Sequence, residues 1–284
     1  TIAVVRDRYA GRGMARIMSF VMAVFIIVPA LAPAIGQAVL FVADWRAIFL
    51  LLMALGLICA VWMMFRLPET LADSDRMPLS LARIGSAVKE TVCNRHALGY
   101  TISAGFIFGA FVGYLNSAQQ IFQDVFNLGD LFPLFFGILA LSIGASSVVN
   151  ARIVMRFGMR FLSFAAVFTL TGLSLGFLIV DIVLAGHPPL WAFMLWGMTS
   201  FFCIGLLFGN LNALAMEPLG HIAGTGSAVV GALTTLISLV FGIVVGQAFD
   251  GTVLPLVIGF ASLGVISSIT MMITNRGLRG AGAQ

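Results

Sequence analysis

Proton transfer, metal binding and covalent catalysis draw on carboxylates, histidines and cysteines, and this chain holds 11 acidic residues, three histidines and three cysteines. Their spacing excludes most chemistries. Cys59, Cys93 and Cys203 are far apart and odd in number. Two of them sit inside apolar runs, where a cysteine behaves as a small hydrophobe rather than half of a disulfide or a metal ligand. His96, His187 and His221 show no metal-ligand spacing. There is no phosphate-binding loop and no HExxH, GxSxG or CxxC, so nothing points to an ATPase, a hydrolase or another enzyme, and no cofactor is implied.

The carboxylates matter most, because an ionisable group inside a bilayer is costly and usually functional. Asp7, Glu69, Asp73, Asp75, Glu90 and Glu217 fall in one set of gaps between apolar runs, and Asp44, Asp124 and Asp130 in the other. Asp250 follows a run and Asp181 lies at the outer end of one. Each is therefore expected in water, which leaves no proton-carrying acid within these runs. Asp181 is the only rival, since a slide or tilt of its run would bury it.

Uncharged polar residues do occur in the runs: Ser142, Thr199, Ser200, Thr234, Thr235 and Ser238 at mid-run, and Tyr114, Asn116, Gln119 and Gln120 toward one end. Asn210 and Asn212 lie near the opposite end of another run. Two readings stand side by side. Hydroxyls in membrane helices bond their own backbone or a neighbouring helix, or they line a cavity. Carboxamides cost more to bury, which favours the cavity for Asn and Gln. Tyr114, Asn116, Gln120, Ser142, Thr199, Thr234, Thr235 and Ser238 are the substrate-cavity candidates.

The elements that position these residues follow from composition. Apolar residues make up 61% of the 284 and charged residues 9%, with a mean hydropathy of +1.10. A soluble domain needs more polar surface than that, and disorder needs less apolar content. A polytopic membrane protein remains. Crossing a ~30 Å hydrocarbon core takes about 20 apolar residues, and runs of that order, uncharged but for Asp181, span 17–40, 47–65, 97–118, 132–151, 161–183, 190–213, 222–248 and 252–274. The formal charge of +4 does not indicate nucleic-acid binding, because the basic residues sit in the short gaps. Fourteen of the fifteen lie in alternate gaps and the tail: Arg6, Arg8, Arg12 and Arg16; Arg66, Arg76, Arg83, Lys89 and Arg95; Arg152, Arg156 and Arg160; Arg276 and Arg279. Arg46 alone lies in the other set. Positive residues stay inside, so this places both ends of the chain in the cytoplasm, 66–96 inside, and 119–131 and 184–189 outside. The 66–96 segment is the only long polar connection, and Ile84, Val88 and Val92 recur within it at helical spacing. That pattern fits either an interfacial amphipathic helix or a solvated linker helix.

The first run contains Val28-Pro-Ala-Leu-Ala-Pro-Ala-Ile-Gly-Gln37, with Pro29 and Pro33 four apart and then Gly36. Each proline removes a backbone donor and bends a helix, while Ala32 and Gly36 would admit a close neighbour. This stretch resembles the antiporter motif GxxxGPxxGG of the major facilitator superfamily. Pro33 and Gly36 match; Val28 and Ala32 replace the first two glycines and Gln37 the last. Further pieces agree in order. Arg6-Asp-Arg-Tyr9 and Met14-Ala-Arg-Ile-Met-Ser19 look like the passage from the fourth helix to the fifth. Trp45-Arg46 with Phe49 looks like the opening of the sixth, and Leu67-Pro-Glu-Thr-Leu71 like its exit. Arg156-Phe-Gly-Met-Arg160 is similar to a degenerate copy of the RxGR loop. Glu217-Pro-Leu-Gly-His-Ile-Ala-Gly-Thr-Gly-Ser227 is similar to the EP-G-xAGTASS loop of the bicyclomycin/chloramphenicol resistance (Bcr/CflA) subfamily.

The resemblance implies an all-α membrane protein with a twelve-helix fold in two six-helix halves around a cavity. About eight helices would be present here, with roughly four preceding Thr1. Residues 1–65 would complete the first half, 66–96 would be the cytoplasmic central linker, and 97–284 would be the second half. It implies a monomeric inner-membrane drug:proton antiporter whose partners are an amphipathic small molecule, protons and the lipid bilayer. The coupling carboxylate would lie in the preceding helices. Pro29, Pro33 and Gly36 would form the conformational motif, and Arg156, Gly158 and Arg160 the cytoplasmic gate. An inactive truncated bundle, or a non-transporting bundle that serves as an interaction partner, is the competing expectation.

Overall fold

The structure is a computed structural model and describes residue 28, residues 31–67 and residues 80–281. It is built of helices: α1 (Leu31–Leu40), α2 (Arg46–Arg66), α3 (Leu81–Cys93), α4 (Arg95–Gln120), α5 (Phe132–Phe157), α6 (Met159–Val183), α7 (Leu190–Met216), α8 (Ala223–Gln247) and α9 (Leu254–Ala281). Seven helices among the described residues are long and apolar enough to cross a membrane, which are α2 and α4 to α9 with their adjoining turns. The 17–40 run lies partly outside the described residues, and α1 is its described end. Pro29, Arg6 to Arg16 and the 68–79 segment lie outside them too.

Local chemistry sets the boundaries. Asn94 separates α3 from α4, and its side-chain oxygen accepts from the backbone N–H groups of His96 and Ala97 at 3.0 Å each, capping donors that a helix start leaves open. Beyond Gln120 the helix widens into a π turn, Ile121–Val125. Pro133 sits in the first turn of α5, where its missing N–H costs nothing. Gly158 breaks the chain between α5 and α6 at φ 77°, a backbone state that glycine enters freely. Pro218 follows α7 in a short 3-10 turn, Glu217–Ile222. Asp250 accepts from the backbone and hydroxyl of Thr252, whose oxygen in turn accepts from the N–H of Leu254 at 3.2 Å and starts α9.

The described chain forms two compact units. One gathers α1, α2 and Pro133–Leu141. In it Asp44 pairs with Arg46 at 3.0 Å and accepts from the N–H of Trp45, fixing the turn between the helices. No α2 residue is buried by the described residues. Gly36 likewise has no described atom within 4 Å of where a Cβ would stand, so the close neighbour anticipated there is not among the described residues.

The other unit holds Ser80–Phe132 and Ser142 onward. Its centre is α4, which packs against α7, α8 and α9. The α4–α8 seam is made by glycines at helical spacing. A Cβ on Gly105 would stand 2.7 Å from Ile237, one on Gly113 2.6 Å from Val245, and one on Gly242 2.5 Å from Val112. Such approaches exclude any side chain and bring backbones together, which is how helices associate where lipid removes the hydrophobic drive. Around the seam, Trp196 stacks on Phe177 at 5.1 Å and donates its indole N–H to Ser174 at 3.2 Å. Thr171 and Ser268 share a hydrogen bond of 3.1 Å between α6 and α9.

Candidate functional site

Alternation of α4 to α9 gives this unit two ends. At the end where α4 begins, several polar groups are paired, though His96 Nδ1 and Ser163 Oγ have no partner among the described residues. Arg95 donates to the Ile273 carbonyl at 2.5 Å, and the Tyr100 hydroxyl to Asn275 at 2.9 Å. Asn150 and Asn210 exchange carboxamide hydrogen bonds of 3.2 and 2.9 Å across α5 and α7. Of the gate candidates, Arg160 pairs with Glu217 at 3.0 Å, tying the Gly158 turn to the α7–α8 turn. Arg156 lies over the Phe157 ring at 5.4 Å. His221 pairs with Glu90 at 2.6 Å, tying the same α7–α8 turn to α3. The described basic residues of this unit, among them Lys89, Arg152, Arg156 and Arg160, gather at this end, whereas Asp124, Asp130, Asp181 and Asp250 gather at the other, in agreement with the charge alternation.

At that other end a cavity of about 390 Å³ is lined by Asn116, Gln120, Ile243, Gly246, Gln247 and Phe249. It exists because the seam ends there. A Cβ on Gly246 would stand 2.5 Å from Asn116 Cβ, so the glycine gives Asn116 its place. The Asn116 amide donates to the Gly242 carbonyl at 3.4 Å. Gln120 and Gln247 are exposed beside it. Three carboxamides offer donors and acceptors together, Ile243 and Phe249 supply apolar wall, and the lining has no charged side chain.

Two of the eight cavity candidates, Asn116 and Gln120, thus meet at one cavity. The remaining six stand elsewhere. Tyr114 is 2% exposed, edge-on to Phe201 at 4.7 Å. Thr199 donates to the Leu195 carbonyl and Ser238 to that of Thr235. Ser142 and Thr234 are buried, and Thr235 is exposed. Gln247 and Phe249 had not been singled out. The signal for them was Gly242, which packs on Val112 and Gly109, and Gly246, which packs on Asn116, four residues apart at the end of α8.

Asp181 departs from the expectation of a hydrated acid. It is fully buried within α6, and neither carboxylate oxygen has a hydrogen-bond partner among the described residues. The cause is the turn that follows. The N–H of Gly186 returns to the Asp181 carbonyl at 2.9 Å, and the N–H of Val253 donates to the Gly186 carbonyl at 3.1 Å. Gly186 has φ 79°, and a Cβ there would stand 2.6 Å from Thr252. The two turns are thereby clamped together over the end of α6. His187 and Asp250, both exposed, are the titratable groups whose electrostatics reach Asp181.

Long apolar helices threaded back and forth, with charge sorted between their ends, define a multi-pass membrane protein. The Major Facilitator Superfamily model matches residues 1–243, and the chain belongs to that family. Relatives include the uncharacterized MFS-type transporter YdgK of Bacillus subtilis, 29% identical over 247 residues, which is 86% of this chain and 61% of YdgK. The bicyclomycin resistance protein homolog of Haemophilus influenzae is 26% identical over 286 residues, covering 99% of this chain and 70% of that protein. Multidrug resistance protein MdtM of Escherichia coli K12 is 27% identical over 274 residues, covering 93% and 63%. The chain spans about two thirds of the length of these relatives.

Proposed function

We propose that the protein carrying this chain is a drug-efflux transporter of the Bcr/CflA kind, which exports amphipathic small molecules across the inner membrane in exchange for protons. The carrying observation is the carboxamide-lined cavity at the end of the α4–α8 seam, in a chain whose relatives are named for bicyclomycin and multidrug resistance. Its volume lies in the range of small-molecule sites. Carboxamides beside Ile243 and Phe249 suit a ligand with both hydrogen-bonding and apolar faces. The chain's two ends would lie in the cytoplasm and the cavity toward the outside, as the charge alternation supports. Arg160–Glu217 would close the inner end and break as the halves rock. Residues 1–65 would belong to the first half and 97–284 to the second, joined by 66–96.

Proton coupling belongs to the same reading. Beside the coupling carboxylate expected in the preceding helices, Asp181 would be a second candidate: it is buried inside a span with no hydrogen-bond partner among the described residues, and such groups mark proton paths in transporters. Two experiments test the proposal. An efflux-deficient host expressing the full-length protein should gain resistance to some members of a panel of amphipathic antibiotics, and no gain for any would refute the efflux reading. In proteoliposomes of the full-length protein with an internal pH dye, Asp181→Asn should reduce substrate-driven proton movement at unchanged protein level, and unchanged flux would remove Asp181 from the proposal.

A further inference from the structure

Helix α3 does more than connect two spans. Its Ala87 and Thr91, one turn apart, are 2% and 0% exposed where α3 packs on α4 and α8. Glu90 on one flank is held by His221 at 2.6 Å. These contacts lock the rotation of α3 about its axis. The adjoining row, Ile84, Val88 and Val92 at four-residue spacing, is thereby fixed outward at 39%, 40% and 42% exposure. Lys89 is exposed in the next row. Only Asn94 stands between Cys93 and Arg95, where a membrane-spanning helix begins. An apolar row that cannot rotate inward is thus anchored at the level where α4 enters the bilayer, with a lysine beside it.

We propose that the Ile84–Val88–Val92 row of α3 docks into the headgroup region of the leaflet at which α4 begins, with Lys89 selecting anionic lipid. On the charge-derived topology this is the cytoplasmic leaflet. The chemistry is that of an interfacial helix. Aliphatic side chains enter the acyl boundary while a basic side chain reaches the phosphates. Because Glu90 also holds His221, lipid on one flank of α3 bears on the α7–α8 turn through the other. This inference does not depend on what the protein transports.

The test uses the full chain, with Cys59, Cys93 and Cys203 replaced by serine and one fluorophore-labelled cysteine at position 84, 86, 88 or 92. It is reconstituted in phosphatidylcholine vesicles with increasing phosphatidylglycerol. A shallow lipid-borne quencher should reach positions 84, 88 and 92 and spare 86, while aqueous acrylamide shows the reverse. Phosphatidylglycerol should deepen quenching at 88, and Lys89→Gln should weaken that response about fivefold, the weight of one basic residue at an anionic surface. Acrylamide access at 88 equal to that at 86 would overturn the proposal in favour of a solvated helix. Protection of 88 from both quenchers would overturn it in favour of a protein cover. Lipid quenching indifferent to phosphatidylglycerol would overturn the anionic selection.

Discussion

The two ends of the α4–α9 unit are built on opposite principles. Where α4 begins, most of the polar groups that face one another are paired: Arg160 with Glu217, His221 with Glu90, Asn150 with Asn210, Tyr100 with Asn275, while His96 Nδ1 and Ser163 Oγ are buried without a partner among the described residues. Where α4 ends, fewer groups pair across helices, among them Asn116 with the Gly242 carbonyl. Asn116, Gln120 and Gln247 line a cavity, and both Asp181 oxygens are buried without a partner among the described residues. Pairs stabilise one arrangement and can be traded for another; unspent donors and acceptors are what a ligand needs. The difference suggests a latched end and a receiving end, joined by a seam too tight to bend locally.

The seam should give the largest effect. Gly113→Leu drives a side chain into Val245, where even a Cβ is 2.6 Å away. Overpacking costs about 1–3 kcal/mol or more, so we expect a large loss of folded protein by size-exclusion chromatography. Gly172→Ala, with nothing within 4 Å of the added atom, should be neutral. If both variants behave alike, the seam does not tie the two ends.

Less severe, Asn210→Leu leaves the Asn150 carboxamide without its partner in the bundle. We expect about 1–2 kcal/mol of destabilisation in detergent melts, largely restored in the Asn150→Leu/Asn210→Leu double variant. Failure of the restoration would show that the pair is not a latch but part of the packing.

Smallest is the Arg160–Glu217 bridge, whose side chains are 46% and 53% exposed. A double-mutant cycle should return less than about 1 kcal/mol, falling with added salt. A larger, salt-insensitive coupling would mean that this end is held more firmly than its exposure implies.

Much of this architecture was legible in the residues. Runs of apolar sequence located the spans, since backbone groups in lipid must be satisfied within a helix. The helical spacing of Ile84, Val88 and Val92 located α3. The charge alternation sorted the unit's ends, and the RFGMR and EPLGH stretches proved to meet through Arg160 and Glu217. Asp181 was not legible, because its burial depends on the Gly186 turn pairing with Val253, a contact between positions far apart in sequence. The cavity was half legible. Asn116 and Gln120 stood out as polar residues in an apolar run, but nothing local joins them to Gln247, which arrives through the glycine seam. Tyr114 shows the opposite placement. A polar atom on a largely apolar ring was read as cavity lining, and the ring packs against Phe201.

The most direct test of the central claim, that the receiving end takes the substrate, is to bind a fluorescent amphipathic drug to purified full-length protein. We predict that Gln120→Leu with Gln247→Leu weakens binding about tenfold, the worth of roughly 1.4 kcal/mol in lost hydrogen bonds, with the melting temperature unchanged. The Arg160→Ala variant at the latched end should bind as the parent does. Unchanged affinity in the double carboxamide variant, or a loss confined to Arg160→Ala, would contradict the account.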